Sequence, residues 1–342
     1  MKQRQDYLQM IAGESVSRRP VWFMRQAGRS QEAYRKIKER YSLFEITHQP
    51  ELCAKVTALP VHEYDVDAAI LYKDIMTPLV PMGVDVTIKP GVGPVIANPI
   101  RSQEDVANLR DIVVEESLDF MVKTIQMLTK EMLAVPLIGF AGAPFTLASY
   151  MIEGGPSKSY QKTRQCLVAT PEIWHALMER LTTMSITYME GQIKAGVQAI
   201  QIFDSWIGAL SMEQYETGVF PYMKRIIGTI KEWYPHIPIT MFGVGTKHLF
   251  PVWKELPLDV IGCDWRCSIA EASAMGITQT LQGNLDPAYL FADWKTIQHE
   301  IDRILEEGAA HGKHIFNLGH GVVPDANPKV LRKIVEYVHD RG

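Results

Sequence analysis

Residues 172–205 read EIWHALMERLTTMSITYMEGQIKAGVQAIQIFDS. The part from 172 to 195 is amphipathic at helical spacing, and Gly196 interrupts it. Residues 199–203 then form a short apolar run, and Asp204 and Ser205 are the first polar side chains beyond it. A returning helix, a glycine turn and a strand that ends in polar side chains make up the repeating unit of a parallel α/β sheet. The same alternation recurs along the chain, and strands are expected at 20–24, 67–72, 136–140, 199–203, 239–242, 260–263, 280–282 and 314–318. Further helices are expected at 294–308 and at 328–340, the latter opening on a proline suited to a first helical turn.

Eight strands with helical returns suit a closed (β/α)8 TIM barrel. Residues 84–98 break the pattern, because valines and isoleucines alternate there among Lys89, Pro90, Gly91, Gly93 and Pro94, and they read as a hairpin inserted after strand two. A doubly wound sheet is the structural alternative. No GxGxxG follows the first strand, no GxxxxGK[ST] occurs, and the glycine-rich piece 139–144 lacks the phosphate-binding lysine. No linker, charge run or long repeat divides the chain, so one domain spanning 1–342 is expected.

The 342 residues are 46% hydrophobic and 22% charged, with a formal net charge of -4, which offers no general attraction to nucleic acid or to anionic lipid. An anionic substrate would have to be caught by local arginines. Neither a secretory leader nor an apolar run long enough to span a membrane is present in the sequence, which leads to the expectation of a cytoplasmic protein. Cys53, Cys166, Cys263 and Cys267 are too scattered for a disulfide framework, and CxxxC without a neighbouring histidine is a poor zinc motif, so no metal is expected.

In a barrel, chemistry collects where strands end. Arg25 and Arg29, in MRQAGR (24–29), stand four apart. On a helical turn they would point the same way, either as a carboxylate clamp or as a solvated face paired with Glu32. Asp74, in LYKDIMTP (71–78), follows an apolar strand and reads equally as a helix N-cap or as an acceptor and counter-charge at the barrel mouth. The piece GFAGAPFTLASYMIEGG (139–155) has small residues where a flat ligand can approach the backbone, and it sets the Tyr150 hydroxyl on an apolar stretch; it also reads as a plain turn into a packed helix. Ser205 lacks a GxSxG context and reads as a hydrogen-bonding hydroxyl. His320, in a glycine-flanked turn, either packs structurally or presents its ring to the pocket.

Together PVWFMRQAGR, GFAGAPFTLASYMIEGG, IQIFDSWIGAL, QGNLDP and FNLGHGVVPD resemble, in order and over nearly the whole chain, the uroporphyrinogen decarboxylase family. The resemblance implies a (β/α)8 barrel, a homodimer, no cofactor, and removal of the four acetate carboxyls of uroporphyrinogen III to give coproporphyrinogen III in haem synthesis. It also implies substrate contacts from the stretch Arg25, Gln26, Ala27, Gly28 and Arg29 and from Phe44, Asp74, Tyr150, Ser205 and His320, with Asp74 central. The chain departs from the family pattern at Lys73, where many members have serine, and at Lys38, where some have a further arginine.

The implied chemistry needs an electron sink, and a pyrrole protonated at its α-carbon provides one. Asp74 would stabilise the resulting cation and Arg25 would hold the reacting carboxylate. Because an arginine is a poor acid, His320 or water is favoured as proton source, with Arg25 as the alternative. Three competing readings remain. A zinc methyltransferase of the same superfamily would need a His-x-Cys that the sequence lacks. A Schiff-base lyase would use Lys73, and a tetrapyrrole carrier would bind without releasing CO2.

Overall fold

The computed structural model describes residues 4–89 and 91–342. Seven strands make one parallel sheet in the order β1 (Ala69–Ile70), β4 (Leu137–Gly142), β5 (Ala199–Phe203), β6 (Ile239–Phe242), β7 (Val260–Gly262), β8 (Thr280–Leu285) and β9 (His314–Leu318). The two missing numbers belong to the inserted hairpin, β2 (Val86–Lys89) against β3 (Gly93–Ile96), antiparallel with Val86 opposite Ile96. The helix that opened the sequence reading runs Pro171–Ala195 and stops at Gly196, whose φ of 123° suits glycine. It is tied to the sheet by Gln192, which accepts from the Phe140 amide at 3.0 Å and donates to the Phe140 carbonyl at 3.0 Å.

The sheet closes on itself through the segment expected as strand one, which differs from the expectation in form. Residues 20–24 contribute a single parallel bridge, Val21 to Phe316, with Phe316 N donating to the Pro20 carbonyl at 2.9 Å. On the other side, the Asp67 amide donates to the Val21 carbonyl at 2.8 Å, and the Val21 amide donates to Asp67 Oδ2 at 2.9 Å. A carboxylate therefore takes the place that a neighbouring strand's carbonyl would occupy. Strand two is shorter than expected as well, because the Tyr72 amide leaves the ladder for the Thr57 hydroxyl at 3.0 Å.

Inside the closed sheet, Trp22 Nε1 donates to Gln282 Oε1 at 3.0 Å, and Gln282 Nε2 to Gln201 Oε1 at 3.4 Å. These side chains come from strands that are not neighbours, so they meet across the interior, which is a packed core rather than a pore. One apolar core continues from there into the helical layer, with Trp174, Trp253 and Phe316 fully buried. Cys263 and Cys267 lie within it as free thiols, and Cys53 is likewise a buried free thiol.

Asp67 is 1% exposed and is also held by Arg18 Nη2 at 2.7 Å and by His339 Nε2 at 2.7 Å. Removing its charge strips the seam of an acceptor and leaves the Arg18 guanidinium facing it. Asp67→Asn is expected to cost about 3 kcal/mol, because breaking a buried ion pair from one side is costly, and to lower Tm by several degrees in a thermal melt. An unchanged Tm would mean that apolar packing alone closes the barrel.

Candidate active site

All the polar strand ends named above open at one end of the barrel, and their positions begin with the turn at 24–29. Its geometry corrects the sequence reading: Arg25 and Arg29 do not share a helical turn, since Arg25 has a left-handed φ of 58° and the helix starts only at Glu32. Such a backbone costs an arginine roughly 1–2 kcal/mol, and the turn is held by its neighbours. Gln26, fully buried, accepts from the Phe23 amide and donates to the Ala68 carbonyl, each at 3.0 Å. Ala27 and Gly28, half-buried, complete the turn, with the Gln31 amide donating to the Gly28 carbonyl at 3.0 Å.

The Arg25 side chain lies along Gly321, where an added Cβ would come within 2.5 Å of Arg25 Cδ. A side chain at position 321 would have to displace it from this path. From this position the Arg25 charge acts on Asp74, Tyr150 and His320 together. Arg29 goes elsewhere: it lines an open groove of about 620 Å³ with Arg35, Lys38, Glu39 and Asp325. Burial, and then the neighbouring Arg29 charge, lowers the Lys38 pKa.

Asp74 performs both tasks that its position suggested. Its Oδ1 accepts from the Met76 amide at 2.8 Å and its carbonyl from the Thr77 hydroxyl at 2.8 Å, fixing the turn into the short helix Thr77–Leu79. Oδ2 has no hydrogen-bond partner among the described residues. Burial raises the carboxyl above the ordinary aspartate range, while the Met76 amide and the Arg25 charge pull it back. The arrangement is a half-buried carboxylate, partly desolvated and only partly compensated.

Tyr150, on the helix Pro144–Glu153, is 8% exposed, and its pKa is raised by burial and then by the nearby Asp74 charge. Its ring meets Trp206 at a centroid distance of 6.0 Å, and Trp206 meets Tyr160 at 5.4 Å. Ser205 lies between Trp206 and the end of β5. Burial and the Arg25 charge lower the His320 pKa, against the pull of Asp264. The His320 ring meets the edge of Trp265 at 6.0 Å, and Arg266 stacks over that indole at 4.3 Å while donating to Asp264 at 2.9 Å.

Phe44 makes its ring contact with His48 at 6.1 Å, and His48 stacks on Phe120 at 4.1 Å. Its neighbourhood is thus the outer helices, where Lys73 also points. Trp206 and Trp265 join the site in the structure, together with Asp264 and Arg266, polar residues just beyond the end of β7. The signal was available in part, since each follows within a few residues of a strand end. Among the described residues no group of three or more His, Cys, Asp or Glu side chains is arranged to hold a metal ion, and no helix is long and apolar enough to cross a membrane.

Comparison with known proteins adds identity to this geometry. Residues 2–341 match the family model described as uroporphyrinogen decarboxylase (URO-D). The chain is 58% identical over 333 residues to the uroporphyrinogen decarboxylase of Staphylococcus saprophyticus, covering 97% of this chain and 96% of that one. It is 58% identical over 340 residues to that of Geobacillus sp. (strain WCH70), covering 99% and 98%. Among solved structures, a methyltransferase from Methanosarcina mazei superposes with a TM-score of 0.82 over 98% of both chains at 17% identity, a likeness of fold alone.

Lys73 tests how strictly the mouth is separated from the layer behind it. Its Nζ is buried without a hydrogen-bond partner, 4.6 Å from the Phe120 ring centre, and burial brings its pKa down to about 7. Folding therefore strips its proton between pH 7 and the unfolded value near 10.5, and the stability penalty is largest at and below pH 7. Lys73→Met, which keeps the volume, is expected to retain activity and to stabilise the fold by about 1–3 kcal/mol at pH 7, with the gain shrinking towards pH 10. Loss of turnover in a well-folded Lys73→Met, or borohydride trapping of substrate on Lys73, would instead favour the Schiff-base reading.

Proposed function

The chain belongs to the uroporphyrinogen decarboxylase family, and we propose from this premise that it strips the four acetate carboxyls from uroporphyrinogen III through the Asp74–Arg25 pair. Its class is that of a carboxy-lyase of porphyrin biosynthesis. The reading takes the whole chain as one domain acting as a cytoplasmic homodimer, with no organic cofactor or metal.

The reaction replaces a carboxylate by a proton. The pyrrole α-carbon is protonated, the C–C bond pair flows into the cationic ring, CO2 leaves, and the exocyclic methylene takes a proton while the ring carbon returns one. The difficult species is the cation. A carboxylate already held in place and already partly desolvated stabilises that charge as it develops with little reorganisation, and this lowers the barrier.

Asp74 fits this role because its Oδ1 is anchored by the Met76 amide while Oδ2 is left over for pyrrole N–H donors. That pairing is the observation which carries the proposal. Arg25, stretched over Gly321, faces the same space and would hold the departing carboxylate. Tyr150 and Ser205 would line the flat face of the macrocycle, with the backbone of Gln26, Ala27 and Gly28 at its edge. Arg29 and Lys38, in the outer groove, would meet propionates, and Phe44 would close the outer side.

We read His320 as the proton relay, either from its own ring or from water that it holds. Its lowered pKa keeps it mostly neutral at pH 7, which suits a relay better than a fixed cation.

Asp74→Asn keeps the shape and the Met76 hydrogen bond but removes the charge. We expect kcat to fall by about 10²–10³-fold with KM within a few-fold, read as CO2 and coproporphyrinogen from uroporphyrinogen III. Equal turnover by the amide variant would remove the proposal, and tight binding with no CO2 from the wild type would favour the carrier reading.

A further inference from the structure

Behind the Tyr150–Trp206 contact lies a second buried acid that the mechanism above does not use. Asp204 directly follows β5, is 0% exposed, and has one oxygen satisfied: Oδ1 accepts from the Thr146 hydroxyl at 2.8 Å. Oδ2 is buried with no partner. The same Thr146 oxygen accepts from the Trp206 amide at 3.2 Å, so one hydroxyl links the carboxyl to the backbone that carries the indole. The Asp204 amide donates to the Phe242 carbonyl at 2.8 Å, fixing the start of the turn to β6.

We infer that Asp204 is a positioning residue: through Thr146 it holds the 204–206 turn and sets the Tyr150–Trp206–Tyr160 aromatic wall against the substrate. The inference rests on the reading of Tyr150 as substrate-facing, and it adds that the wall is held by a carboxyl in its neutral, protonated form.

The surroundings of Asp204 argue for that form. The helix Pro144–Glu153 contributes Thr146, a hydroxyl; the helix Met212–Gly218 contributes Tyr215, also buried, whose hydroxyl lacks a partner; β6 contributes backbone. Among the described residues, no lysine, arginine or histidine charge is a cause of the shift of the carboxyl. An isolated buried carboxylate is expensive, and the group takes up a proton instead. Burial raises it to about 7, against the Thr146 hydroxyl and amide.

The consequences for pH follow from the sign of that shift. Because the folded value exceeds the unfolded one, near 3.8, stability falls as pH rises from about 4 to about 7 and is level in this respect above that range. Within the folded enzyme, the carboxyl ionises as pH passes about 7, and an anion buried without a counter-charge, with Oδ2 unpaired, is costly enough to draw in water and loosen the turn. Substrate binding should weaken there, with chemistry at Asp74 less affected.

The test compares wild type, Asp204→Asn, Asp204→Ala and Tyr150→Phe, with kcat, KM and Tm measured from pH 5 to 9. Asp204→Asn, a permanent stand-in for the neutral acid, should keep neutral-pH kcat and KM within about threefold. It should lack the rise of KM above pH 7, and it should gain in Tm relative to wild type as pH goes from 5 to 7. Asp204→Ala should raise KM about tenfold, the scale of one lost buried hydrogen bond. If Asp204→Asn behaves like Asp204→Ala, or retains the alkaline rise in KM, the inference is wrong. An unaltered Tyr150→Phe enzyme beside the predicted Asp204 pattern would overturn only the role given to Tyr150, and the turn-holding role of Asp204 would stand.

Discussion

The site turns on a single imbalance. Asp74 is buried enough for its carboxyl to resist ionisation, yet it receives one amide hydrogen bond and one guanidinium charge, enough to make it a usable anion and too little to satisfy it. An anion in that condition gains most when a cation appears beside it. A flat heterocycle that becomes positive only on the way to losing CO2 is such a partner, so the stabilisation is concentrated where the barrier lies.

Much of the surrounding architecture serves to hold Arg25 and Asp74 in that relation. Arg25 accepts a left-handed backbone because Gln26 pins the turn to strand one and to Ala68, and because Gly321 leaves space for its stem. The turn rests in its turn on the barrel seam, where the Asp67 carboxylate completes a ladder that residues 20–24 cannot complete by themselves. The two carboxylates thus have opposite tasks. Asp67 is saturated by Arg18, His339 and the Val21 amide and is structural, whereas Asp74 is left short of partners and is available.

Much of this was legible in the sequence, and the rest was not, for identifiable reasons. Strands such as 199–203 and 314–318 announce themselves because apolar, β-branched residues bounded by turns have few other uses. The hairpin at 84–98 was visible in its glycines and prolines. Strand one was expected at full length because its residues are apolar; that its amide pairs with an aspartate side chain depends on a residue 46 positions away. The shared direction assigned to Arg25 and Arg29 assumed a helix, and a backbone angle of φ 58° leaves no trace in composition. Lys73, beside the key aspartate, attracted a chemical reading. The alternation of side chains along an extended segment sends it instead towards Cys53 and Phe120 in the helical layer. Asp204 was noted as a strand end but passed over for Ser205, since the lack of a counter-ion around a carboxyl becomes visible only once the fold has surrounded it.

The account stands most directly on whether Asp74 prefers positive charge in its partner. The deciding measurement is the ratio of affinities for a permanently cationic pyrrole analogue and its neutral counterpart, taken on the wild type and on Asp74→Asn. A strong preference for the cation that collapses in the amide variant is the predicted result. The same ratio in both proteins would contradict the account, because the buried charge would then contribute nothing that discriminates the reacting state from the resting one.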